Sequence, residues 1–320
     1  MYEILVAGGA GFIGSHLCKR LIDEGNKVYC IDDFITGSKN NIQHLMDNPN
    51  FKLIEHDVTK PFDEIKDRIS EVSHIFHLAS PASPNKKSER SYINYPIETM
   101  LVNSVGTYNL LLLAKAKNSK FLFASTSEIY GNPEVSPQPE TYFGNVNPIG
   151  IRSVYDESKR YGEAMTFAFY RKHNLDTRVI RIFNTFGPFM QKDDGRVVTS
   201  FINQALTNTS LTVFGEGKQT RSFCYVDDMI DGIMKVMFTD NTKGQVVNLG
   251  NPDERTILEI ATMVKDMVGT GSQIVFEPLP EDDPEVRKPD ITKAKTLLGW
   301  EPKISLEEGL KKTIEYFRNA

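Results

Sequence analysis

The 320-residue sequence has few cysteines. Cys18, Cys30 and Cys224 are odd in number and far apart along the chain. Secreted disulfide frameworks and structural zinc sites need more cysteines at closer spacing. We therefore expect three reduced, mostly structural thiols.

Long apolar runs and blocks of one charge are also missing. No run approaches the roughly 20 apolar residues of a membrane-spanning helix, and the chain begins directly with a strand pattern rather than a charged, cleavable leader. The 37 basic and 42 acidic residues give a net charge of −5, with no basic block that could follow a nucleic-acid backbone. These absences argue against membrane and nucleic-acid partners and predict a cytoplasmic protein.

Clustered metal ligands are scarce as well. His74 and His77 are the one close histidine pair, and they lie in an apparent strand with no cysteine nearby. Because such spacing alone rarely makes a site, we predict no bound metal.

Strands and helices alternate along the first part of the chain. The residue patterns predict strands at about 3–7, 27–32, 51–56, 73–79, 120–126 and 176–183, and helices at 12–25, 96–117 and 155–173. This βαβ alternation predicts a doubly wound parallel (Rossmann) α/β sheet, with its ligand crevice at the carboxyl ends of the strands. Shorter elements beyond Asn184 predict a smaller C-terminal α/β substrate lobe. We expect residues 1–183 with a returning segment, 225–250, to form the Rossmann domain, and 184–224 with 251–320 to form the lobe.

A glycine motif joins the first predicted strand to the first predicted helix. Gly8, Gly11 and Gly14 let the backbone approach a pyrophosphate closely, and the helix N-terminus adds N–H groups and partial positive charge. Asp32 ends the second predicted strand, where a carboxylate accepts the ribose hydroxyls of NAD and repels the 2′-phosphate of NADP. This context predicts NAD binding, although a simple loop of turn residues would show the same glycines.

Tyr155 and Lys159 are four residues apart on a predicted helix, so both can meet one ligand. A phenol has a pKa of about 10, but a nearby ammonium and a positive nicotinamide ring favour the phenolate. We expect Tyr155 to be the general base on a secondary alcohol, with Thr126 holding the same oxygen and Lys159 also binding the nicotinamide ribose. The alternative is an exposed helical Tyr and Lys without function.

Longer stretches carry a more specific resemblance: residues 77–84, 124–134, 146–150, 181–188, 194–198 and 287–290. Together with the two motifs, they resemble the extended short-chain dehydrogenase/reductase family of NAD-dependent nucleotide-sugar epimerases and dehydratases over essentially the whole chain. Within that family the stretches are most similar to those of the decarboxylases that act on UDP-glucuronate. The resemblance implies an NAD cofactor, a UDP-sugar substrate and a homodimer built on the helices at 96–117 and 155–173.

The resemblance also implies site residues. We expect the cofactor to lie against Gly8, Gly11, Phe12, Ile13, Gly14, Asp32, Asp33, Phe34, Thr36, Gly37, Asp57, Val58, Leu78, Ala79, Ser80, Asn103, Tyr155 and Lys159. The substrate would meet Tyr92 at the sugar, Asn184, Arg196 and Val197 at the sugar or diphosphate, Val213 and Phe214 at the uracil, and Arg221 and Arg287 at the phosphates. The alternatives are a core role for Phe214 and surface ion pairs for the two arginines.

Glu128, with Ser127 beside it, is the residue at which the possible reactions diverge. If the sugar carries a carboxylate at C6, oxidation of C4 gives a β-keto acid that loses carbon dioxide, and Glu128 would position the ring and a proton-donating water. If C6 carries a hydroxyl, Glu128 would take the C5 proton, as in 4,6-dehydratases. A 4-epimerase would instead rotate the oxidised sugar.

We expect decarboxylation, with dehydration and epimerisation as alternatives. Two further alternatives are that Glu128 simply caps its loop and that the protein is a non-catalytic NAD sensor. A sensor would commonly lose Tyr155, Lys159 or Thr126, and all three are present. The polar segment 85–91 lengthens the loop before Tyr92, which could change the C5 substituent that is recognised.

Overall fold

The computed structural model describes residues 1–69, 71–192, 194–279 and 286–319. The strands are β1 (Glu3–Ala7), β2 (Lys27–Asp32), β3 (Phe51–Glu55), β4 (His74–His77), β5 (Lys120–Thr126), β6 (Thr177–Ile182), β7 (Thr185–Phe186), β8 (Leu211–Phe214), β9 (Thr220–Ser222), β10 (Cys224–Tyr225), β11 (Val246–Leu249), β12 (Glu254–Thr256), β13 (Ile274–Glu277) and β14 (Val286–Arg287). The α-helices are α1 (Phe12–Asp23), α2 (Pro96–Leu101), α3 (Thr107–Lys117), α4 (Ser153–His173), α5 (Val197–Leu206), α6 (Val226–Phe238), α7 (Ile257–Val268), α8 (Thr292–Leu298) and α9 (Leu306–Asn319).

A seven-stranded sheet in the order β11-β6-β5-β4-β1-β2-β3 forms the centre of the molecule, and every neighbouring pair is parallel. Successive side chains of β1 point to opposite faces of the sheet, and both faces are packed. Ile4 and Val6 share one apolar cluster with helices α1 and α6, whereas Leu5 shares another with α3 and α4. A parallel sheet covered on both faces explains why its strands read as apolar runs. The predicted Rossmann fold is confirmed.

The helix expected at 96–117 is interrupted. A π-helical turn, Val102–Gly106, separates α2 from α3. Within it the Asn103 side chain donates to the carbonyl of Thr99, 3.0 Å away, and to the hydroxyl of Ser158, also at 3.0 Å. A side chain that inserts into the ladder of helical hydrogen bonds causes such an irregularity. The helix expected from Tyr155 begins two residues earlier, at Ser153.

The smaller elements lie beyond β6. Strands β8 and β13 form a parallel pair, and β9 lies between β12 and β14. Strand β11 rejoins the main sheet beside β6, after helix α6. This return supports the proposed division of the chain, in which residues 225–250 belong with 1–183.

The order of the strands reverses between β1 and β4, which is where doubly wound sheets bind ligands. Gly8 directly follows β1, and Leu78 directly follows β4. Within the described ranges, no helix combines the length and the apolar character needed to cross a bilayer. The cytoplasmic location stays a prediction.

Candidate active site

A cleft of about 850 Å³ crosses the carboxyl ends of the strands and extends into the smaller lobe. Most of the site residues expected from the sequence line it: Gly8, Gly11, Phe12, Ile13, Gly14, Thr36, Leu78, Ser80, Tyr92, Thr126, Ser127, Glu128, Tyr155, Lys159, Asn184, Arg196, Val197, Phe214, Arg221 and Arg287. A smaller cavity of about 80 Å³ shares Gly8, Gly11, Thr36, Leu78 and Ser80 with the cleft and adds Asp32, Asp33, Gly37, Val58 and Ala79. Residues far apart in sequence therefore meet as expected.

Four expected residues do not line either cavity. Val213 lies in the apolar core, because its neighbours Thr212 and Phe214 occupy the cleft face of β8 and side chains alternate along a strand. Phe34 packs against the same core. The Asp57 carboxylate accepts hydrogen bonds from the backbone and hydroxyl of Thr59 instead.

The fourth of these residues, Asn103, is fully buried. It donates to the Ser80 hydroxyl, which lines the cleft, at 3.0 Å. Asn103 is thus placed to orient a cleft residue rather than to touch a ligand itself.

The glycine loop packs too tightly for side chains. Gly8 has a φ of 80°, and a Cβ there would lie 2.6 Å from the backbone nitrogen of Ala79. A Cβ on Gly14 would overlap the carbonyl oxygen of Gly8. Helix α1 begins after Gly11 without a side-chain cap, so its first N–H groups remain available to a phosphate.

Asp32 is buried at the end of β2 and braces this loop. Its carboxylate accepts the backbone N–H groups of Ala10 and Phe34, both at 2.9 Å. Burial raises the pKa of Asp32 to about 6, against the effect of these two hydrogen bonds. The side chain is therefore mostly ionised at neutral pH, as repulsion of a 2′-phosphate requires.

Tyr155 and Lys159 both face the cleft from α4. Burial raises the pKa of Tyr155 above its usual value, while a hydrogen bond with Thr126 and the charge of Arg196 act in the opposite direction. The Lys159 ammonium lies 5.7 Å from the centre of the Tyr155 ring and donates to the Ala124 carbonyl at 2.9 Å. Burial lowers the pKa of Lys159 to about 7. In the ligand-free protein the lysine therefore carries its positive charge only in part at neutral pH, and its expected role in favouring the phenolate stays a prediction.

The ring of Tyr92 stacks on that of Tyr155, with centroids 4.9 Å apart and planes 4° from parallel. Tyr92 is almost fully buried, and its hydroxyl has no hydrogen-bond partner among the residues that the structure describes. Its ring therefore fixes the orientation of the expected base, and its hydroxyl is available to a ligand.

Glu128 is held between two arginines. One carboxylate oxygen accepts from Arg152, and the other accepts from Arg287 at 2.6 Å. Burial alone would raise the pKa of Glu128, but Arg152 and Arg287 lower it to about 2. The carboxylate is ionised throughout the neutral range and is a weak base.

Arg287 makes further contacts beside Glu128. Its guanidinium also donates to the Ser127 hydroxyl at 3.2 Å and to the Gly131 carbonyl at 3.0 Å. These contacts fix Arg287 at the end of β5, and the expected phosphate contact stays a prediction.

Sequence reasoning missed Arg152 and Asp156. Arg152 caps the N-terminus of α4 three residues before Tyr155, a spacing that was a usable signal, and Asp156 directly follows Tyr155 on the helix. Burial and the charge of Glu128 raise the pKa of Asp156 to about 8. A neutral carboxylic acid therefore lies next to the base at pH 7.

The remaining expected arginines, Arg196 and Arg221, also line the cleft. Arg196 is paired with Asp194, with contacts of 2.5 and 2.8 Å. Arg221 donates to the carbonyl of Thr220 at 2.8 Å. Phe214 is 37% exposed and lines the cleft, so it is not a core residue.

The three cysteines and the pair His74 and His77 are buried. All three cysteines are free and buried, but Cys18 and Cys30 are not independent, since a hydrogen bond between the two thiols raises the pKa of Cys30. Burial lowers the pKa of His74 to about 4 and of His77 to about 3. Among the residues that the structure describes, no three potential metal ligands cluster.

Known proteins resemble this chain over nearly its whole length. A family model described as GDP-mannose 4,6 dehydratase matches residues 5–313. UDP-glucuronic acid decarboxylase 1 of Xenopus tropicalis is 51% identical over 316 residues, which cover 99% of this chain and 72% of the relative. UDP-glucuronic acid decarboxylase 5 of Arabidopsis thaliana is 50% identical over 317 residues, covering 99% and 89%.

Solved structures also share the fold of this chain over nearly its whole length. UDP-glucose 4-epimerase of Thermotoga maritima, solved with UDP-glucose, has a TM-score of 0.89 and 32% identity, with 99% of each chain covered. UDP-glucuronic acid 4-epimerase of Bacillus cereus, in complex with UDP-glucuronic acid and NAD, has a TM-score of 0.87 and 30% identity, again over 99% of each chain. The chain therefore belongs to the GDP-mannose 4,6 dehydratase family, the NAD-dependent epimerases and dehydratases that the sequence motifs resemble.

Proposed function

We propose that this chain is an NAD-dependent UDP-glucuronate decarboxylase. It oxidises the sugar at C4, releases C6 as carbon dioxide and reduces C4 again, which yields UDP-xylose. The observation that carries the proposal is Glu128 held as an anion between Arg152 and Arg287 beside Tyr155, in a chain about half identical to UDP-glucuronic acid decarboxylases.

The glycine loop fits a dinucleotide. Side chains at Gly8 and Gly14 would collide with the backbone, and the uncapped N-terminus of α1 offers N–H groups to a pyrophosphate. Asp32 would accept the adenosine ribose hydroxyls and exclude NADP. NAD held there would supply the hydride acceptor for C4 and a positive ring that favours the phenolate of Tyr155.

Tyr155 acts as the general base at C4. It takes the proton of the C4 hydroxyl. The Thr126 hydroxyl, which forms a hydrogen bond with Tyr155, holds the same C4 oxygen. Lys159 is held by the Ala124 carbonyl and would bind the nicotinamide ribose. Tyr92, stacked on Tyr155, keeps the phenol aimed at the sugar.

The oxidised sugar is a β-keto acid. Its C5–C6 bond breaks, carbon dioxide leaves, and the bonding electrons form an enolate between C4 and C5. C5 then takes a proton and C4 takes back the hydride. Glu128 and Ser127 orient the ring and the water that supplies this proton, and the two arginines that lower the pKa of Glu128 disfavour it as the base for the C5 proton that a dehydratase requires.

The two arginines at Glu128 suit an acidic sugar. Arginine offers forked donors for carboxylates, so we assign Arg152 and Arg287 to the C6 carboxylate of the substrate. Asn184, Arg196, Val197 and Arg221 remain assigned to the sugar and diphosphate. Phe214 is assigned to the uracil, with Val213 contributing through its backbone only.

A homodimer is part of the proposal. The outer face of α2, the π-helical turn and α3 exposes six large apolar side chains: Ile97, Met100, Leu101, Val105, Tyr108 and Leu112. Tyr161 is also exposed on the neighbouring helix α4. Such a continuous apolar face favours a second copy of the chain as its partner.

Product analysis tests the activity. Purified protein with NAD should convert UDP-glucuronate to UDP-xylose and carbon dioxide by mass spectrometry, without lasting NADH accumulation. Tyr155→Phe should bind NAD and UDP normally but turn over about a hundredfold or more slowly. The proposal fails if UDP-glucuronate becomes its C4 epimer with no carbon dioxide, or if only UDP-glucose or UDP-N-acetylglucosamine reacts, giving a 4-keto-6-deoxy sugar.

A further inference from the structure

Arg287 reaches the catalytic segment from a very short strand. Strand β14 has two residues and pairs in parallel with β9, so the ladder of hydrogen bonds that holds it is small. The guanidinium nevertheless has to stay in place, because it donates to the Glu128 carboxylate at 2.6 Å and to the Gly131 carbonyl at 3.0 Å. Contacts of the chain directly after Arg287 therefore bear on where the guanidinium lies.

Gln138 holds the chain directly after Arg287. Its side chain is fully buried, and its Oε1 accepts the N–H of Lys288 at 2.8 Å. Its backbone N–H donates to the Lys288 carbonyl at 2.8 Å, and its backbone carbonyl accepts the N–H of Asp290 at 3.0 Å. Gln138 therefore clamps residues 288–290 through both its backbone and its side-chain amide.

The other end of the Gln138 amide is bound to its own loop. Its Nε2 donates to the Val135 carbonyl at 2.6 Å. An apolar side chain of the same size would leave this carbonyl and the Lys288 N–H without the contact, and a buried polar group that loses its partner is costly. The chain after Arg287 would then lose an anchor.

Gln138 is tied in turn to the central sheet. Asn248 lies on β11, is fully buried, and donates to the carbonyls of Gln138 and Asp290 at 3.0 and 3.2 Å. The side-chain oxygen of Asn248 accepts from the Tyr130 hydroxyl at 2.9 Å. These hydrogen bonds connect the central sheet with the segment of chain that carries Arg287.

We propose that Gln138 is a positioning residue for recognition of the acidic sugar, because it fixes the backbone that carries Arg287. This inference rests on the proposed function, in which Arg287 meets the C6 carboxylate of the substrate. Gln138 is buried and does not line the cleft, so it acts through the arginine. A misplacement of about 1 Å is enough to weaken such a contact. A sugar without the carboxylate has nothing to lose, so selectivity between sugars is the signature of this role.

Selectivity for the carboxylate also provides the test. The starting protein is Tyr155→Phe saturated with NAD, which should bind UDP-sugars but turn them over slowly. Titration calorimetry would compare UDP-glucuronate with UDP-xylose and UDP, which lack the carboxylate. Adding Gln138→Met, which keeps the size but removes the amide, should weaken UDP-glucuronate about 10-fold. The affinities for UDP-xylose and UDP should stay within about twofold.

Two further substitutions separate this role from a loss of stability. Gln138→Glu keeps an acceptor for the Lys288 N–H, so its selective loss of UDP-glucuronate affinity should be smaller, and it serves as the test if Gln138→Met does not fold. Asn26→Leu is the matched control. Its buried amide accepts from the Tyr2 N–H and donates to the Leu21 carbonyl, at the amino end of β2 and away from the cleft. Asn26→Leu should lower the melting temperature without changing the ratio of the affinities.

A double variant tests whether Gln138 acts through Arg287. Arg287→Met should itself weaken UDP-glucuronate selectively, since it removes the contact with the carboxylate. Adding Gln138→Met to Arg287→Met should then change the affinity for UDP-glucuronate by no more than about twofold, because residues that act through one contact are not additive.

Four results would overturn the inference. Unchanged UDP-glucuronate affinity in Gln138→Met would show that Arg287 keeps its place without the amide. Equal losses for all three ligands, or additive losses in the double variant, would show a structural role that does not act through Arg287. An Arg287→Met protein that still prefers UDP-glucuronate would remove the assignment of the arginine and the inference with it. The proposed function is tested separately, since it fails only if the wild type does not convert UDP-glucuronate to UDP-xylose.

Discussion

At the residue scale, the state of Glu128 decides between the possible reactions. A carboxylate beside a sugar can be a base, an acid or a fixed negative charge, and its pKa selects among these roles. Arg152 and Arg287 keep the pKa of Glu128 at about 2, so the fixed charge is the role that fits. In the proposed mechanism the base and the positioning group are then different residues, Tyr155 and Glu128.

Glu128→Gln should separate these two roles. The amide keeps the shape but removes the negative charge that Glu128 presents to Arg152 and Arg287. Oxidation at C4 should continue, while decarboxylation and reduction slow by about a hundredfold, so NADH absorbance rises transiently with a UDP-4-keto sugar. Glu134→Gln, on the exposed part of the same loop, is the control. Turnover at the wild-type rate in Glu128→Gln would contradict the assignment.

Lys159 predicts a pH dependence of stability. An unfolded lysine stays protonated up to a pH of about 10.4, but burial lowers the pKa of Lys159 to about 7 in the fold. Folding is therefore penalised fully below pH 7, and the penalty disappears as the pH rises to about 10. Since one pKa unit is worth about 1.4 kcal/mol, the upper limit of this penalty on the free energy of folding is about 5 kcal/mol.

In the ligand-free protein, Lys159→Met should thus raise the free energy of unfolding at pH 6, because it removes the buried charge. The lost hydrogen bond to the Ala124 carbonyl should offset about 1 kcal/mol of that gain. Urea unfolding at a series of pH values would show the gain shrinking toward pH 10. A gain that instead grows with pH would refute the assigned pKa.

At the element scale, the proposed cofactor binding depends on the tight backbone packing of the turn from β1 to α1. Gly14→Ala adds a methyl group that overlaps the Gly8 carbonyl oxygen, so the loop and helix must move apart. We expect at least about a hundredfold weaker NAD binding by calorimetry, since the loop's N–H groups lose their alignment. Gly271→Ala meets no atom within 4 Å and should bind NAD like the wild type. Equal affinity in both variants would rule out this loop as the pyrophosphate site.

This element was predictable because its signals are local. An apolar strand, three glycines, an amphipathic helix and Asp32 follow one another within a short stretch, and the structure places them as expected. The contact of Glu128 with Arg287 was not predictable, because 159 positions separate the two residues and β14 brings them together. The π-helical turn depends on Asn103 reaching Ser158 of another helix, which periodicity cannot reveal.

At the scale of the whole molecule, the exposed helix face predicts the assembly. Tyr108 is 44% exposed on the apolar face of α2 and α3. A buried charge without a partner is costly, so Tyr108→Glu should shift a dimer to monomers in light scattering. Ile149→Glu, at a 93% exposed loop position, should leave the mass unchanged. A wild type that is itself monomeric would exclude the proposed homodimer.

The central claim is that C4 is oxidised and then reduced by the same hydride while C6 is lost. UDP-glucuronate with deuterium at C4, given to the enzyme with substoichiometric NAD, tests this most directly. Mass spectrometry should find UDP-xylose that retains the deuterium, formed together with an equal amount of carbon dioxide. Product without the label, or a labelled product that still contains C6, would contradict the account.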